Sequence, residues 1–290
     1  HRTSRRQRQM CIRDRRISCW MTLVVRHLLL ILLLVGCQQF TYTTSTTSNG
    51  EIYGTSYKYR YVHPETQELD PLIPEKIEKE LNRIDLIFST YKENSEVLNT
   101  SIEEMNSWSK DLKYLYDLSL NLSEISKNSF DPLQGGILDF SAVAKGYAVD
   151  KVAEIMQENG ISDYFIEIGG EIKAKGLAPH RGNWKWAIED PFSMNQKIFK
   201  SFSMPFKGLS IATSGEYKNP GHIWGGGPRD VANVTVLHES AAYADAWATT
   251  MYVLGTKEGL KIAENEQIAV FFIKKDGETL NSSQWSRIYP

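Results

Sequence analysis

Two stretches of this chain carry side chains that packing alone does not call for. Residues 139–150 read Asp-Phe-Ser-Ala-Val-Ala-Lys-Gly-Tyr-Ala-Val-Asp, which places two acids, a lysine and a glycine inside an apolar helical pattern. Ala142, Val143, Tyr147 and Val149 or Ala148 are available for one buried face. A glycine inside a helix costs about 1 kcal/mol against alanine, and a buried lysine needs a partner. Something should therefore approach the backbone at Gly146 and bring negative charge to Lys145. A phosphate meets both conditions, because helix N-terminal amides and a lysine together make an anion site. The plainer reading is an amphipathic helix capped by Ser141 and ending at Gly160, with Lys145 and Asp150 in water.

The second stretch is residues 244–250, Ala-Asp-Ala-Trp-Ala-Thr-Thr, where Asp245 and Thr249 lie four apart on one helical face. A carboxylate and a hydroxyl flanked by alanines are oxygen ligands of the kind Mg²⁺ takes, with water and substrate phosphates completing its octahedron. Alternatively Asp245 only favours the helix N-terminus while Thr249 packs. Gly169-Gly170 and Thr213-Ser214-Gly215 each end a strand, and each is either a plain turn or a close approach to a ligand. His222 stands in a glycine-rich loop, residues 221–227, too irregular for a Walker or dinucleotide loop. A lone loop histidine is ordinarily a solvated one.

These residues need elements to position them. Residues 51–62 alternate Tyr53, Tyr57, Tyr59 and Tyr61 with polar residues, the pattern of a half-buried strand. Pro74 opens a helix as an N1 proline does, and Ile77, Leu81, Ile84 and Phe88 form its core face. A second amphipathic helix spans 112–125, and Ser129-Phe130-Asp131-Pro132 breaks it. Strands are expected at 164–168, 184–188, 208–212, 231–237 and 268–273, with a helix at 244–254. Helices and strands mix without strict alternation, and several strands have one polar face. The expected class is α+β, with mixed or largely antiparallel sheets and flanking helices.

The first twenty of the 290 residues are arginine-rich and without apolar period, and we set residues 1–20 aside as upstream leader. Met21 is the expected start. Arg26, His27 and an apolar run at 28–35 come next, too short to span a bilayer but suited to a signal peptide over 21–36. All three cysteines, Cys11, Cys19 and Cys37, lie in this region, so residues 38–290 have no disulfide or thiolate chemistry. Residues 37–49, rich in Ser and Thr, read as a flexible tether, and 50–290 as the functional domain. Without the eight arginines and one aspartate of residues 1–36, 25 basic residues face 34 acidic ones, a net charge of −9. That balance argues against nucleic acid as a partner.

Together the motifs resemble the FAD:protein FMN transferases, the ApbE-type flavin transferases once described as thiamine-biosynthesis lipoproteins. The pieces that carry the resemblance are Phe88-Ser89-Thr90-Tyr91, Ser129-Phe130-Asp131, residues 138–150, Ile168-Gly169-Gly170, Ala212-Thr213-Ser214-Gly215 and residues 244–249. Leu34-Val35-Gly36-Cys37 is similar to a bacterial lipobox, in which the cysteine is lipidated. The resemblance implies an ApbE-like, T-fold-like architecture in the bacterial cell envelope, lipid-anchored through Cys37 with the domain on the extracytoplasmic side. It implies a Mg²⁺-dependent enzyme that cleaves FAD, releases AMP and attaches FMN to a Thr or Ser of an acceptor flavoprotein such as a membrane redox subunit.

On the resemblance, the metal is held by Asp245, Thr249 and the backbone oxygen of Ala142. FAD contacts fall on Tyr53, Tyr91, Ser129, Phe130, Asp131, Asp139, Lys145, Gly169, Gly170, Ser214 and Ile223 or Trp224. Catalytic roles fall to Lys145, Asp139 and His222, the last as the base for the incoming hydroxyl, since an imidazole titrates near neutral pH. Tyr53 and Tyr91 offer flat faces for a flavin or adenine ring. Two departures stand out. Trp224-Gly225-Gly226-Gly227-Pro228-Arg229 replaces the family's Asp-Pro-x-Thr-Gly turn, and Asp131 is joined to Asp139 almost directly where family members carry several dozen residues. Either this is a compact subgroup with a trimmed rim, or residues of a core wall are absent. A Mg²⁺-dependent FAD pyrophosphatase and a non-catalytic FAD-binding lipoprotein are the competing readings.

Overall fold

The computed structural model describes residues 43–290 except Gly135, Met194 and Gln196. The leader, the signal peptide, Cys37 and the first part of the tether lie outside the described residues. Within Thr43–Pro290 the central feature is one eight-stranded sheet. Its strands are β1 (Thr43–Ile52), β2 (Thr55–Pro64), β5 (Asp163–Ile168), β6 (Glu171–Lys175), β9 (Leu209–Gly215), β10 (Val231–His238), β11 (Ala269–Lys274) and β12 (Thr279–Asn281), hydrogen-bonded in that order. Every pairing is antiparallel. The expected α+β class is observed.

One face of the sheet is covered by α1 (Ile73–Phe88), α2 (Lys110–Ile125), α3 (Ala144–Glu158) and α4 (Ala241–Asn265). The other face carries a separate apolar cluster beneath the hairpin of β7 (Lys185–Glu189) and β8 (Ile198–Ser203) and the short α5 (Ser283–Ile288). Successive strand side chains point to opposite faces, and β11 shows it: Val270 and Phe272 enter the helical-side core, while Ala269, Phe271 and Ile273 enter the other. Trp186, Phe202, Trp285 and Tyr289 stack into the second cluster, with Trp186 and Phe202 ring centroids 4.6 Å apart. Among the described residues no helix is long and apolar enough to cross a membrane.

Several sequence expectations shift. The tether expected to reach residue 49 is instead a strand from Thr43 onward, paired residue for residue with β2. Tyr53 lies in the β1–β2 turn with φ 55°, off the strand that holds Tyr57, Tyr59 and Tyr61. The helix expected at 244–254 runs to Asn265 across a break at Gly255. Its length was hidden because a glycine reads as a stop. The short link between Asp131 and Asp139 is closed by β3 (Leu133–Gln134) pairing with β4 (Ile137–Leu138), with Leu138 and Phe140 buried in the main core.

Candidate active site

The site is organised where α3 crosses α4. Asp150 of α3 receives the Ala241 and Ala242 amides, both at 3.0 Å, the Ser240 hydroxyl at 2.7 Å and Lys173 Nζ at 2.6 Å. An acid from a neighbouring helix thus satisfies the free amides at the start of α4. Asp150 is therefore not the solvated acid of the plainer reading. Nor does Ser141 cap α3, whose N-cap is Val143 without a side-chain bond. Ser141 instead donates its amide to Asp139 Oδ1 at 2.8 Å, so Asp139 shapes the turn entering α3.

What approaches Gly146 is the backbone of α4. A Cβ on Gly146 would lie 2.2 Å from the Ala241 carbonyl oxygen and 2.8 Å from Asp245 Cβ. The glycine is required for the helix crossing, and the expectation of a phosphate at this point is corrected. The Gly146 amide donates to Asp245 Oδ2 at 2.9 Å. In a regular helix that amide would go to Ala142, four residues back. Among the described residues no backbone bond outside the regular elements ends on the Ala142 carbonyl.

The negative charge expected at Lys145 also comes from the protein. Lys145 Nζ is 2.9 Å from Glu171 Oε1 and 3.9 Å from Asp245 Oδ1. Both carboxylates are deeply buried, at 5% and 4% side-chain exposure, while Lys145 keeps 30%. Burial works to lower the lysine pKa, but the Asp245 and Glu171 charges outweigh it and hold it above its ordinary value. Burial raises the Asp245 carboxyl well above the carboxylate range, opposed by Lys145 and reinforced by Glu171. Burial likewise raises Glu171, against the pull of Lys145. Gly169 and Gly170, with φ 63° and 107°, make the tight turn between β5 and β6 that delivers Glu171, and a side chain on Gly169 would crowd Lys145 Cδ at 3.2 Å.

Around this centre opens a cleft of about 1410 Å³. The metal-, FAD- and catalytic-site residues drawn from the sequence all line it, although they are spread from position 53 to position 249, whereas Gly146 does not. Thr249 Oγ1 meets Ser214 Oγ at 3.2 Å on the adjoining strand. Tyr91 and Trp224, both on the cleft lining, stand at 93% and 66% exposure. Phe130 is buried, and Asp131 Oδ1 accepts the Leu133 amide at 2.8 Å. Tyr53 donates its hydroxyl to the Leu81 carbonyl at 2.8 Å, and burial, with Asp85 and Glu80, raises its pKa. His222 is exposed, and its Nδ1 contacts the Asn219 carbonyl, an acceptor to which a ring N–H at Nδ1 would donate.

The sequence reading missed Glu171 and the capping role of Asp150. Each owes its importance to a partner far away in the chain, and neither has a local periodic signal.

The donor set fits a small divalent cation in composition. Two buried carboxylates, Asp245 and Glu171, face one ammonium on the cleft lining, and Thr249 follows Asp245 by four residues along α4, which puts its hydroxyl on the same helical face. No cluster of three or more His, Cys, Asp or Glu side chains suited to a metal occurs among the described residues.

Residues 133–272 match the model of the ApbE family. Over 151 residues the chain is 40% identical to the FAD:protein FMN transferase of Vibrio cholerae, covering 48% of this chain and 45% of that protein. The chain thus spans about half the length of the curated relatives it matches in this way. A longer alignment, at 24% identity, covers 83% of this chain and 89% of the FAD:protein FMN transferase of Haemophilus influenzae. The solved structure of the flavin transferase ApbE from Vibrio cholerae superposes with a TM-score of 0.73 at 25% identity, over 84% of this chain and 99% of that one.

Proposed function

We propose, for a chain whose residues 133–272 match the ApbE family model, that it is a Mg²⁺-dependent FAD:protein FMN transferase. The observation that carries this reading is the pair of buried carboxylates, Asp245 and Glu171, on either side of Lys145 in a cleft whose lining includes the exposed Tyr91 and Trp224. Asp245, Thr249 and the Ala142 carbonyl would hold the ion. When bound, it would polarise the phosphoryl group and neutralise charge gathering on the AMP leaving group.

The remaining work falls to the chain's own groups. Lys145 places a fixed positive charge beside the diphosphate. Tyr91 and Trp224 give stacking faces for the two ring systems of FAD. The Nε2 of His222 takes the proton of the acceptor hydroxyl as its oxygen attacks the FMN phosphorus. A new phosphoester bond forms, the P–O bond to AMP breaks, and AMP leaves. The acceptor is read as an exported or membrane-associated flavoprotein. The lipobox-like Leu34-Val35-Gly36-Cys37 supports an envelope location with a lipid anchor at Cys37.

The test is incubation of the full chain with FAD and a Thr/Ser-containing acceptor flavoprotein, with and without Mg²⁺, reading AMP release and covalent flavin fluorescence in a denaturing gel. Labelled acceptor with Mg²⁺-dependent AMP is the expected result, lost on Asp245→Ala. AMP without label would indicate a pyrophosphatase, and FAD binding without AMP a binding protein.

A further inference from the structure

Glu171 is a buried carboxylate that neither holds FAD nor ligates the ion in the proposed reaction. An unpaired buried charge costs several kcal/mol, so its position needs a cause. Its Oε1 meets Lys145 Nζ at 2.9 Å, while Oε2 has no hydrogen-bond partner among the described residues. Its register is fixed by the β5–β6 hairpin, in which Glu171 pairs directly with Ile168. The Lys145 stem passes Gly169, where an added Cβ would lie 3.2 Å from Lys145 Cδ, and its ammonium lies 1.0 Å nearer Glu171 than Asp245, at 2.9 against 3.9 Å.

We propose that Glu171 is a positioning residue that draws Lys145 away from Asp245, so that Asp245 Oδ1 stays open to a divalent cation while the ammonium remains in the cleft. The role rests on Asp245 being a cation ligand. Without Glu171, the ammonium has one remaining carboxylate to pair with, and Lys145 closes onto Asp245 as an internal competitor for the ion. The two carboxylates therefore divide the work: one holds the lysine and the other receives the metal.

A double-mutant cycle read by Mg²⁺ affinity alone, without FAD or turnover, tests this. Calorimetric titration of the full chain with MgCl₂ would compare the unmodified protein, Glu171→Gln, Lys145→Met and the double variant. Glu171→Gln should weaken Mg²⁺ binding by about tenfold, the scale of a single ion-pair contact. In the Lys145→Met background the same change should cost about twofold or less, because the competitor is gone. Equal weakening in both backgrounds would mean that Glu171 acts by direct charge or by folding, and would overturn the role while leaving the cation site intact. No Mg²⁺ binding by the unmodified chain would overturn the cation site and the role together. Should Glu171→Gln fail to fold, Glu171→Asp replaces it, expected to weaken binding less than tenfold and again only when Lys145 is present.

Discussion

The Gly146 amide and the Asp245 carboxylate are joined by a 2.9 Å hydrogen bond that links the first turn of one helix to the first turns of another, 99 residues on in the chain. That bond orients Asp245 and diverts the amide from the ladder of its own helix. It exists because nothing but hydrogen separates Gly146 from the Ala241 carbonyl. Gly146→Ala should therefore destabilise the protein by about 1–3 kcal/mol or more, since the obstructing atom is backbone and cannot rotate away. Urea denaturation measures the loss, and Mg²⁺ affinity should fall with it as Asp245 loses its orienting donor. A variant as stable as the parent would show that the two helices can part without cost.

Asp150 holds the other end of the same crossing. Asp150→Ala strips the start of α4 of its acceptor and leaves Lys173, 18% exposed, without its ion pair. The expected loss is about 2–4 kcal/mol, combining a missing cap with a broken, largely buried pair. Its neighbour Lys151 pairs with Glu154 on the surface, and Lys151→Ala should cost about 0.5 kcal/mol or less. Similar losses for the two variants in chemical denaturation would refute the capping role.

In the proposed reaction His222 is the base, and it is exposed, outside the core. Its exposed ring and its bond to the Asn219 carbonyl predict that His222→Ala lowers turnover by about 10²–10⁴-fold. FAD affinity, measured by flavin fluorescence, should change little. Turnover that survives the substitution would remove the histidine from the mechanism.

His238, at the end of β10, gives a pH signature separate from the cleft. Its Nδ1 accepts the Ser240 amide at 3.0 Å and its ring stacks on Tyr243 at 5.1 Å. Burial lowers its pKa below the usual 6.5, so the folded state prefers the neutral ring. A depressed histidine contributes stability that is present above the unfolded value and is lost as pH falls through the folded one. Melting temperature should therefore drop more steeply below about pH 6.5 in the parent than in His238→Gln, with the two curves running parallel above it. Curves parallel throughout the acid range would contradict the assignment.

The elements that could be read from the sequence were those whose signal is local. The face of Ile77, Leu81, Ile84 and Phe88 is periodic, and it is buried in α1 as expected. Of the residues converging on the cleft, Lys145, Asp245, Thr249 and His222 were found because their chemical types are out of place where they stand, and Ser129, Phe130, Asp131 and Asp139 were reached through the resemblance. β1 escaped because it is an outer strand with intermediate and exposed positions throughout, so Ser and Thr fill it without an apolar alternation. Gly146 was noticed, yet its reason was misread, because the group that crowds it lies on α4, far along the chain. Glu171 and Asp150 were passed over on the same ground. A charge reveals its partner in sequence only when that partner is a turn away.

The loop that carries His222 and Trp224 is anchored in a way that composition alone would not announce. Arg229 Nη2 donates to the Ile223 and Gly225 carbonyls at 3.0 and 3.1 Å, while Nη1 meets Glu216 Oε1 at 3.1 Å. Glu216 in turn accepts the Tyr252 hydroxyl of α4 at 3.1 Å. A guanidinium spans three acceptors in a fixed fork, which an ammonium cannot copy. Arg229→Lys should thus loosen the loop while leaving the buried core untouched. Trp224 would then present its ring less often in the stacking position, and FAD affinity should fall by roughly threefold to tenfold, about 0.6–1.4 kcal/mol. Limited proteolysis within residues 221–227 should accelerate in parallel, with melting temperature nearly unchanged. If cleavage and affinity both match the parent, the loop is held by its glycine packing against Val253 and not by Arg229.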